Sequence, residues 1–309
     1  MAVAALLVLG SCAEARLVAH AVKQIPDRKP VYLVGQPYEA QGVWYYPAED
    51  YGYDATGIAT TYPPDRHPSH TANGEAFDPG ELTAAHKTLP LPSLVRVTNL
   101  DNGRTVIVRV NDRGTATPGR IIEVSARAAE LLAVPALGAA KVRVTLLAQE
   151  SRAAAAALQM VPSTATRQGV ASDGSPAAMA APRMAVERDG APASPQASGR
   201  GAPALTDLVA GRTEPDGRFL PAAVVAQLPV DATRRDVYVQ AGAFSVFENA
   251  NRLRARLTSI GPARIDPVMV GDTQIFRVRL GPLSGVEQAD SMLGSVVAAG
   301  VNGAQVVVD

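Results

Sequence analysis

One cysteine in 309 residues leaves no partner for a disulfide and no thiolate set for a zinc site. An excess of charge of either sign is missing as well. Lys and Arg number 29 and Asp and Glu number 29, so the formal net charge is zero. A protein held to nucleic acid by bulk charge carries a basic excess, and nucleic acid is therefore excluded as a partner of that kind. Aromatic residues are scarce at 5%, while hydrophobic content of 47% is enough for packed cores. Beyond the N-terminus no apolar run approaches the roughly 20 residues of a bilayer-spanning helix. The length fits two domains, and the abundance of Gly (26) and Pro (24) suggests compact modules joined by a soft connector.

Ala2 to Leu9 form a short apolar run, followed by Gly10, Ser11 and Cys12. An apolar stretch ending at small residues is two-thirds of a secretory leader; the basic start is absent. Leu9-Gly10-Ser11-Cys12 resembles a bacterial lipobox, which implies lipidation of Cys12 and a membrane anchor on the periplasmic side of the cell envelope. Residues 1–12 are then a lipoprotein leader and 13–51 a lead-in segment. From 150 to 234 the chain is dominated by Ala, Ser, Pro and Gly without a period of 2 or 3.6. Such a stretch has too little apolar surface to offset its conformational entropy and reads as a disordered linker. Folded regions are expected over 52–149 and 235–309.

The C-terminal region repeats itself. Val237 to Ala250 superposes on Phe276 to Ala289, matching Gly242 with Gly281, Ser245 with Ser284 and Glu248 with Glu287. In each copy an alternating strand ends at Gly and a Ser-x-x-Glu capping box opens a helix. The helices carry the stripes Val246, Ala250, Leu253, Leu257 and Val286, Ala289, Leu293, Val296. Further strands follow at Arg264–Val270 and Ala304–Val308, giving two βαβ units on one four-stranded antiparallel sheet. The runs Tyr238–Phe244 and Phe276–Pro282 resemble a SPOR domain, the peptidoglycan-binding module of bacterial division proteins. That resemblance implies binding of glycan strands stripped of stem peptides, with Gln240, Arg277 and Arg279 as candidate contacts on one face of the sheet. A merely solvated sheet face is the plainer reading of the same residues.

In the N-terminal region, Leu94–Leu100, Asp101-Asn-Gly103 and Arg104–Val110 predict a β-hairpin. Val95 and Val97, and across from them Val106, Val108 and Val110, make its apolar faces, with arginines opposite. Ile121–Val124 reads as a strand, Ser125 as the cap of a short helix through Leu132, and Lys141–Leu147 as a closing strand. Many short strands suggest a small barrel.

Three segments, Thr71–Asp78, Leu82–Pro90 and Val110–Gly114, with Tyr45–Tyr51 and Thr56–Ala59 ahead of them, resemble the rare lipoprotein A family of septal lytic transglycosylases. The order of lipobox, barrel, linker and SPOR domain matches too. The resemblance implies a mainly β, six-stranded double-psi β-barrel followed by an α+β domain. It implies cleavage of the MurNAc–GlcNAc β-1,4 bond of peptidoglycan at the division septum, leaving 1,6-anhydroMurNAc ends. Both domains would bind glycan strands, and division-site proteins are possible partners. No cofactor or metal is implied. Glu75, His86 and Asp112 fall on the family's active-site positions, with Asp112 expected as the acid and then the base. Glu75 and His86 would position the sugar, stabilise the oxocarbenium-like state or tune Asp112.

Read without the family, Asp112 initiates a turn, Glu75 flanks a hairpin and His86 is a satisfied imidazole. His67 and His70 stand three apart with no carboxylate or thiolate cluster to complete a metal site. The chain also departs from the family pattern, with Thr60-Thr-Tyr-Pro63 in place of a Trp-Tyr-Gly, Thr115–Pro118 in place of a Pro-Phe, and Glu123 in place of an Asp. Those changes leave a second function open, a non-catalytic tether that grips peptidoglycan with both domains.

Overall fold

The computed structural model describes residues 28–63, 66, 69–115, 117–135, 138–160, 209–230 and 236–309. Cys12 and His67 lie outside the described residues. A small antiparallel hairpin comes first, β1 (Tyr38–Ala40) and β2 (Val43–Tyr45). Then follow β3 (Asp54–Thr61), β4 (Thr83–His86), β5 (Ser93–Asn99), β6 (Arg104–Asp112), β7 (Arg120–Val124), α1 (Ala126–Leu132) and β8 (Ala139–Leu146). Neighbours run in the order β6, β4, β7, β3, β8, β5, and β5 pairs back to β6, so six strands close into a barrel. Two pairs are parallel, β3 with β7 and β4 with β6, and the rest of the ring is antiparallel.

The interior follows from the alternation. Val95, Val97, Val106, Val108, Val110, Val142 and Val144 are β-branched, recur with period two and are buried. The β5–β6 hairpin turns at Asp101–Gly103 as expected, with Thr98 opposite Thr105. Gly103 has φ +75°, and its carbonyl accepts from the Leu228 amide at 2.9 Å, so the turn needs both the left-handed conformation and a bare Cα. Ser125 caps α1 by accepting from the Ala128 amide at 3.2 Å, and Ala128, Ala129 and Leu132 seal the barrel.

Two segments expected outside the barrel are built onto it. Within the lead-in, the Val31 amide donates to Asn73 at 2.9 Å, and Leu33 and Leu91 exchange backbone bonds of 2.7 and 2.8 Å. The Ala48 amide donates to Thr88 at 3.1 Å. Within the segment read as a disordered linker, α2 (Ala148–Met160) packs on β5, where Ser151 Oγ accepts from the Leu94 amide at 2.9 Å. Farther on, β9 (Gly211–Thr213) and β10 (Phe219–Pro221) form a hairpin, and β11 (Ala226–Gln227) pairs with the first residues of β6. Phe219 is 1% exposed and packs with Leu94, Leu147, Ala154 and Val209. The composition argument fails here because it asks what the segment can bury on its own. The barrel supplies the second half of the contact: an apolar hollow for one phenylalanine and a strand edge in need of a partner. Residues 161–208 and 231–235 lie outside the described residues.

The C-terminal domain contains β12 (Val237–Phe244), α3 (Phe247–Leu257), β13 (Ala263–Val270), β14 (Thr273–Leu283), α4 (Val286–Ala298) and β15 (Gln305–Val308). Its sheet is antiparallel throughout, in the order β13, β14, β12, β15. Ala250, Leu253 and Leu257 of α3 and Ala289, Leu293 and Val296 of α4 bury against Val239, Val278 and Leu280. The expected capping boxes do not form. Val246 takes the N-cap of α3 and stands 52% exposed, outside the stripe assigned to it. At α4 the N-cap is Gly285, while Gln288 Oε1 accepts from the Ser284 amide at 2.7 Å and lies 3.0 Å from its hydroxyl. The two domains touch through a bidentate Arg120–Asp290 pair of 2.6 and 2.8 Å. No helix among the described residues is long and apolar enough to cross a membrane.

Docking of the connector can be measured directly. Phe219→Ala in the full chain is expected to lower the barrel's stability by about 3–5 kcal/mol in urea unfolding, the usual cost of emptying a buried aromatic site. An unchanged midpoint would show that β9 and β10 are not seated on the barrel.

Candidate functional site

Three strand ends build one corner of the barrel. Asp112 closes β6, His86 closes the adjacent parallel strand β4, and Tyr62 follows directly on β3. Ala85 is the register partner of Asp112, which places His86 one residue beyond that pairing. The loop before β4 then folds across. Its tight turn at Gly74, with φ +95°, points Asn73 and Glu75 toward the end of β6.

Glu75 is 2% exposed, so its charge needs partners. Oε2 accepts from the Arg109 guanidinium at 2.5 Å and from Asn111 Nδ2 at 2.7 Å, and Oε1 accepts from Asn73 Nδ2 at 2.9 Å. Arg109 is equally buried. It also donates to Glu81 at 3.1 Å and to the backbone carbonyl of Phe219. Alternation on β6 sets its arginines opposite the apolar face, and there the connector and the loop cover Arg109. Burial raises the Glu81 pKa above the usual carboxylate value, with Arg109 and Arg218 pulling the other way.

Asp112 is held on both oxygens. Oδ1 accepts from the Ala72 and Arg113 amides, each at 2.8 Å. Oδ2 accepts from the Tyr62 hydroxyl at 3.4 Å and from the Arg66 guanidinium. Arg66 lies 5.1 Å from the Tyr62 ring centroid and 5.9 Å from that of Phe77, and the two rings stand 4.7 Å apart. Burial raises the Tyr62 pKa far above its ordinary value, reinforced by Asp112, so Tyr62 remains a phenol donor.

His86 is fixed differently. Nδ1 accepts from the Thr88 and Leu89 amides, both at 3.2 Å, and this assigns the proton to Nε2. Burial, with Lys87 and Arg113 adding to it, lowers its pKa from 6.5 to about 3. The imidazole is therefore a neutral N–H donor rather than a cation. Tyr53 meets it edge-on at 4.8 Å. Arg113 staples the corner together, donating to the carbonyls of Leu89 and Val34 and, at 3.4 Å, of His86. Burial also lowers the Lys87 pKa to about 8, and its ammonium lies 5.1 Å from the Tyr45 ring centroid.

The structure thus brings Glu75, His86 and Asp112 into one neighbourhood. Asn111 and the Ala72 amide link Glu75 to Asp112, and strand pairing links His86. Sequence reasoning missed Arg66, Tyr62, Arg109 and Arg113. Tyr62 lies in the Thr60–Pro63 departure, whose retained tyrosine was the available signal; nothing in the spacing pointed to Arg66. On the C-terminal sheet, Gln240 pairs in register with Arg279 and Ala243 with Arg277. Arg279 is 5% exposed and ion-paired to Asp266 and Asp309, each at 2.6 Å, so it is a fixed part of the face rather than a loose cation. Gln240, Arg277 and Arg279 line a cleft of about 1010 Å³ shared with Asp54, Thr98 and Arg143 of the barrel. Among the described residues no three His, Cys, Asp or Glu side chains group as a metal site.

His86 makes a pH prediction with a definite sign. Its folded pKa is depressed, so its neutral form contributes full stability above pH 6.5 and that contribution is lost as pH falls toward 3. At pH 5 the loss is about 2 kcal/mol from this group. Urea unfolding at pH 7.5 and 5 is expected to show that difference in the wild type and not in His86→Gln. An equal pH dependence in both would mean that His86 titrates normally.

Known proteins resemble this chain over both folded parts. A lytic transglycolase family model matches residues 54–144, and a SPOR domain model matches 233–307. The endolytic peptidoglycan transglycosylase RlpA of Pseudomonas aeruginosa PAO1 is 35% identical over 294 residues, covering 89% of this chain and 78% of that protein. The protein of the same name from Rickettsia bellii is 48% identical over 126 residues, 40% of this chain and 56% of its own. The crystal structure of the RlpA SPOR domain from P. aeruginosa is 29% identical, covers 23% of this chain and 96% of that one, and superposes with a TM-score of 0.22. With a relative at 35% identity matched over most of both chains, this protein belongs to the RlpA family of endolytic peptidoglycan transglycosylases.

Proposed function

We propose that the barrel cleaves the β-1,4 bond between N-acetylmuramic acid and N-acetylglucosamine in peptidoglycan strands, with Asp112 as acid and then base. The convergence of Asp112, His86 and Glu75 at one end of the barrel carries this reading. As a carboxylic acid, Asp112 gives its proton to the bridging oxygen as the bond to C1 breaks. As a carboxylate, it then takes the proton of the muramic acid C6 hydroxyl as that oxygen closes on C1. The proton returns to Asp112, no water is consumed, and a 1,6-anhydro end results.

The two helpers divide their work by protonation state and reach. The Nε2–H of His86 is a neutral donor suited to a sugar oxygen or to charge developing near it. The Glu75 carboxylate is occupied by Arg109, Asn111 and Asn73, so it acts on Asp112 by fixing Asn111, the residue before it, and the loop whose Ala72 amide reaches it. Of the three roles open to Glu75 from sequence, this geometry favours tuning Asp112.

Gln240, Arg277 and Arg279 hold peptide-stripped strands on the C-terminal sheet in this reading. That domain enriches the protein at the septum, beside division-site partners. A lipid on Cys12 tethers it to the envelope on the periplasmic side. The leader-like sequence around Cys12 supports the anchor, and the SPOR match supports the glycan contact.

The four donors on Asp112 among the described residues favour the alternative of a grip without cleavage, and digestion separates the two. Purified, peptide-stripped peptidoglycan treated with the wild type is expected to release anhydro-terminated fragments, with Asp112→Asn at least a thousandfold slower. Reducing muramic acid ends would indicate a hydrolase, and no release by the wild type would leave the tether.

A further inference from the structure

We propose that Arg66 selects peptide-stripped strands by exchanging its partner, Asp112, for the free lactyl carboxylate of a muramic acid residue. This inference rests on the glycan-cleaving reading above. Arg66 is the outer member of its ion pair, with its side chain 32% exposed against 4% for Asp112. Its Nη2 donates to Asp112. Its Nε is shielded from solvent and has no hydrogen-bond partner among the described residues. Ser69 Oγ, in the residue whose carbonyl accepts from the Phe77 amide, and Thr61 Oγ1, just before Tyr62, are buried and unpaired in the same way among the described residues. A buried donor left open in this manner costs stability unless something arrives to fill it.

The substrate's chemistry identifies what fits. A strand of alternating N-acetylglucosamine and N-acetylmuramic acid is neutral except at the lactyl group. While a stem peptide is attached, that group is an amide. Once the peptide is removed, it is a carboxylate, and a guanidinium takes a carboxylate through two parallel N–H bonds. The aromatic floor of Tyr62 and Phe77 holds the cation in place while its partner changes. The exchange has a second effect at Asp112. A carboxyl must carry a proton to act as acid, and an oxygen released by Arg66 can carry one. Recognition of the stripped strand and release of the acid then become one event.

The test compares stripped strands with the same strands after the lactyl carboxyls are converted to methylamides. Anhydro-end release and calorimetric binding of a GlcNAc–MurNAc disaccharide, as free acid and as methylamide, are read for full-length wild type, Arg66→Ala, Arg66→Lys and Asp112→Asn. The wild type is expected to favour the acid by roughly ten- to a hundredfold in kcat/KM and in affinity. Arg66→Ala should lose that preference, and Arg66→Lys should keep part of it. The inference fails if Arg66→Ala discriminates as the wild type does, or if the wild type treats acid and methylamide alike. Failure of the cleavage reading looks different: no anhydro ends from any form, with the acid preference in binding still present or absent to decide on Arg66. Unchanged melting temperatures identify the variants as folded.

Discussion

The pairing of Glu75 with Arg109 is the interaction on which the rest of the barrel's working end depends. Both groups are withdrawn from water, which would be prohibitive for either alone. Together with Asn73 and Asn111 they satisfy most of each other's hydrogen-bonding capacity, and in doing so they bind three separate pieces of chain. The loop before β4, the end of β6 and the connector at Phe219 all meet at these two side chains. Removing one partner from such a pair strands the other, at a cost of about 3–5 kcal/mol, so the arrangement is strongly specified. The backbone amide of Ala72 is aimed at Asp112 by the same loop.

The reacting corner is therefore prepared by charge placement more than by any one acid. His86 is kept neutral by burial and by two cations, with its free N–H in a defined tautomer. Asp112 is kept in place by two backbone amides that do not depend on side-chain rotamers. Arg113, next in sequence, ties the His86 turn and the lead-in to the same point. Among the described residues, the side chains that donate to Asp112 are Arg66 and Tyr62, and of these Arg66 is the one with substantial exposure.

Much of this was readable from residue pattern. Alternating valines and the Asp-Asn-Gly turn located the β5–β6 hairpin, and the repeat located the four strands and two helices of the C-terminal domain. The motif match brought Glu75, His86 and Asp112 forward together. What pattern could not supply was the covering of surfaces. Arg109 obeys the period-two rule and faces outward, yet the connector roofs that face, a fact about distant chain that no local window contains. Phe219 was lost for the matching reason: one aromatic residue in a low-complexity stretch is negligible until a hollow lined by Leu94 and Leu147 receives it. The capping boxes failed on a subtler point, since the helices start one residue later than Ser-x-x-Glu requires.

Contacts from beyond both edges of the matched barrel segment have a practical consequence for anyone dissecting the protein. Val31 and Val34 reach the site from before residue 54, and Phe219 reaches it from well after residue 144. A fragment cut at those edges would keep Glu75, His86 and Asp112 yet uncover Arg109 and deprive Arg113 of its Val34 acceptor. Inactivity of so short a piece would report missing walls, and would say nothing against the chemistry of the intact chain.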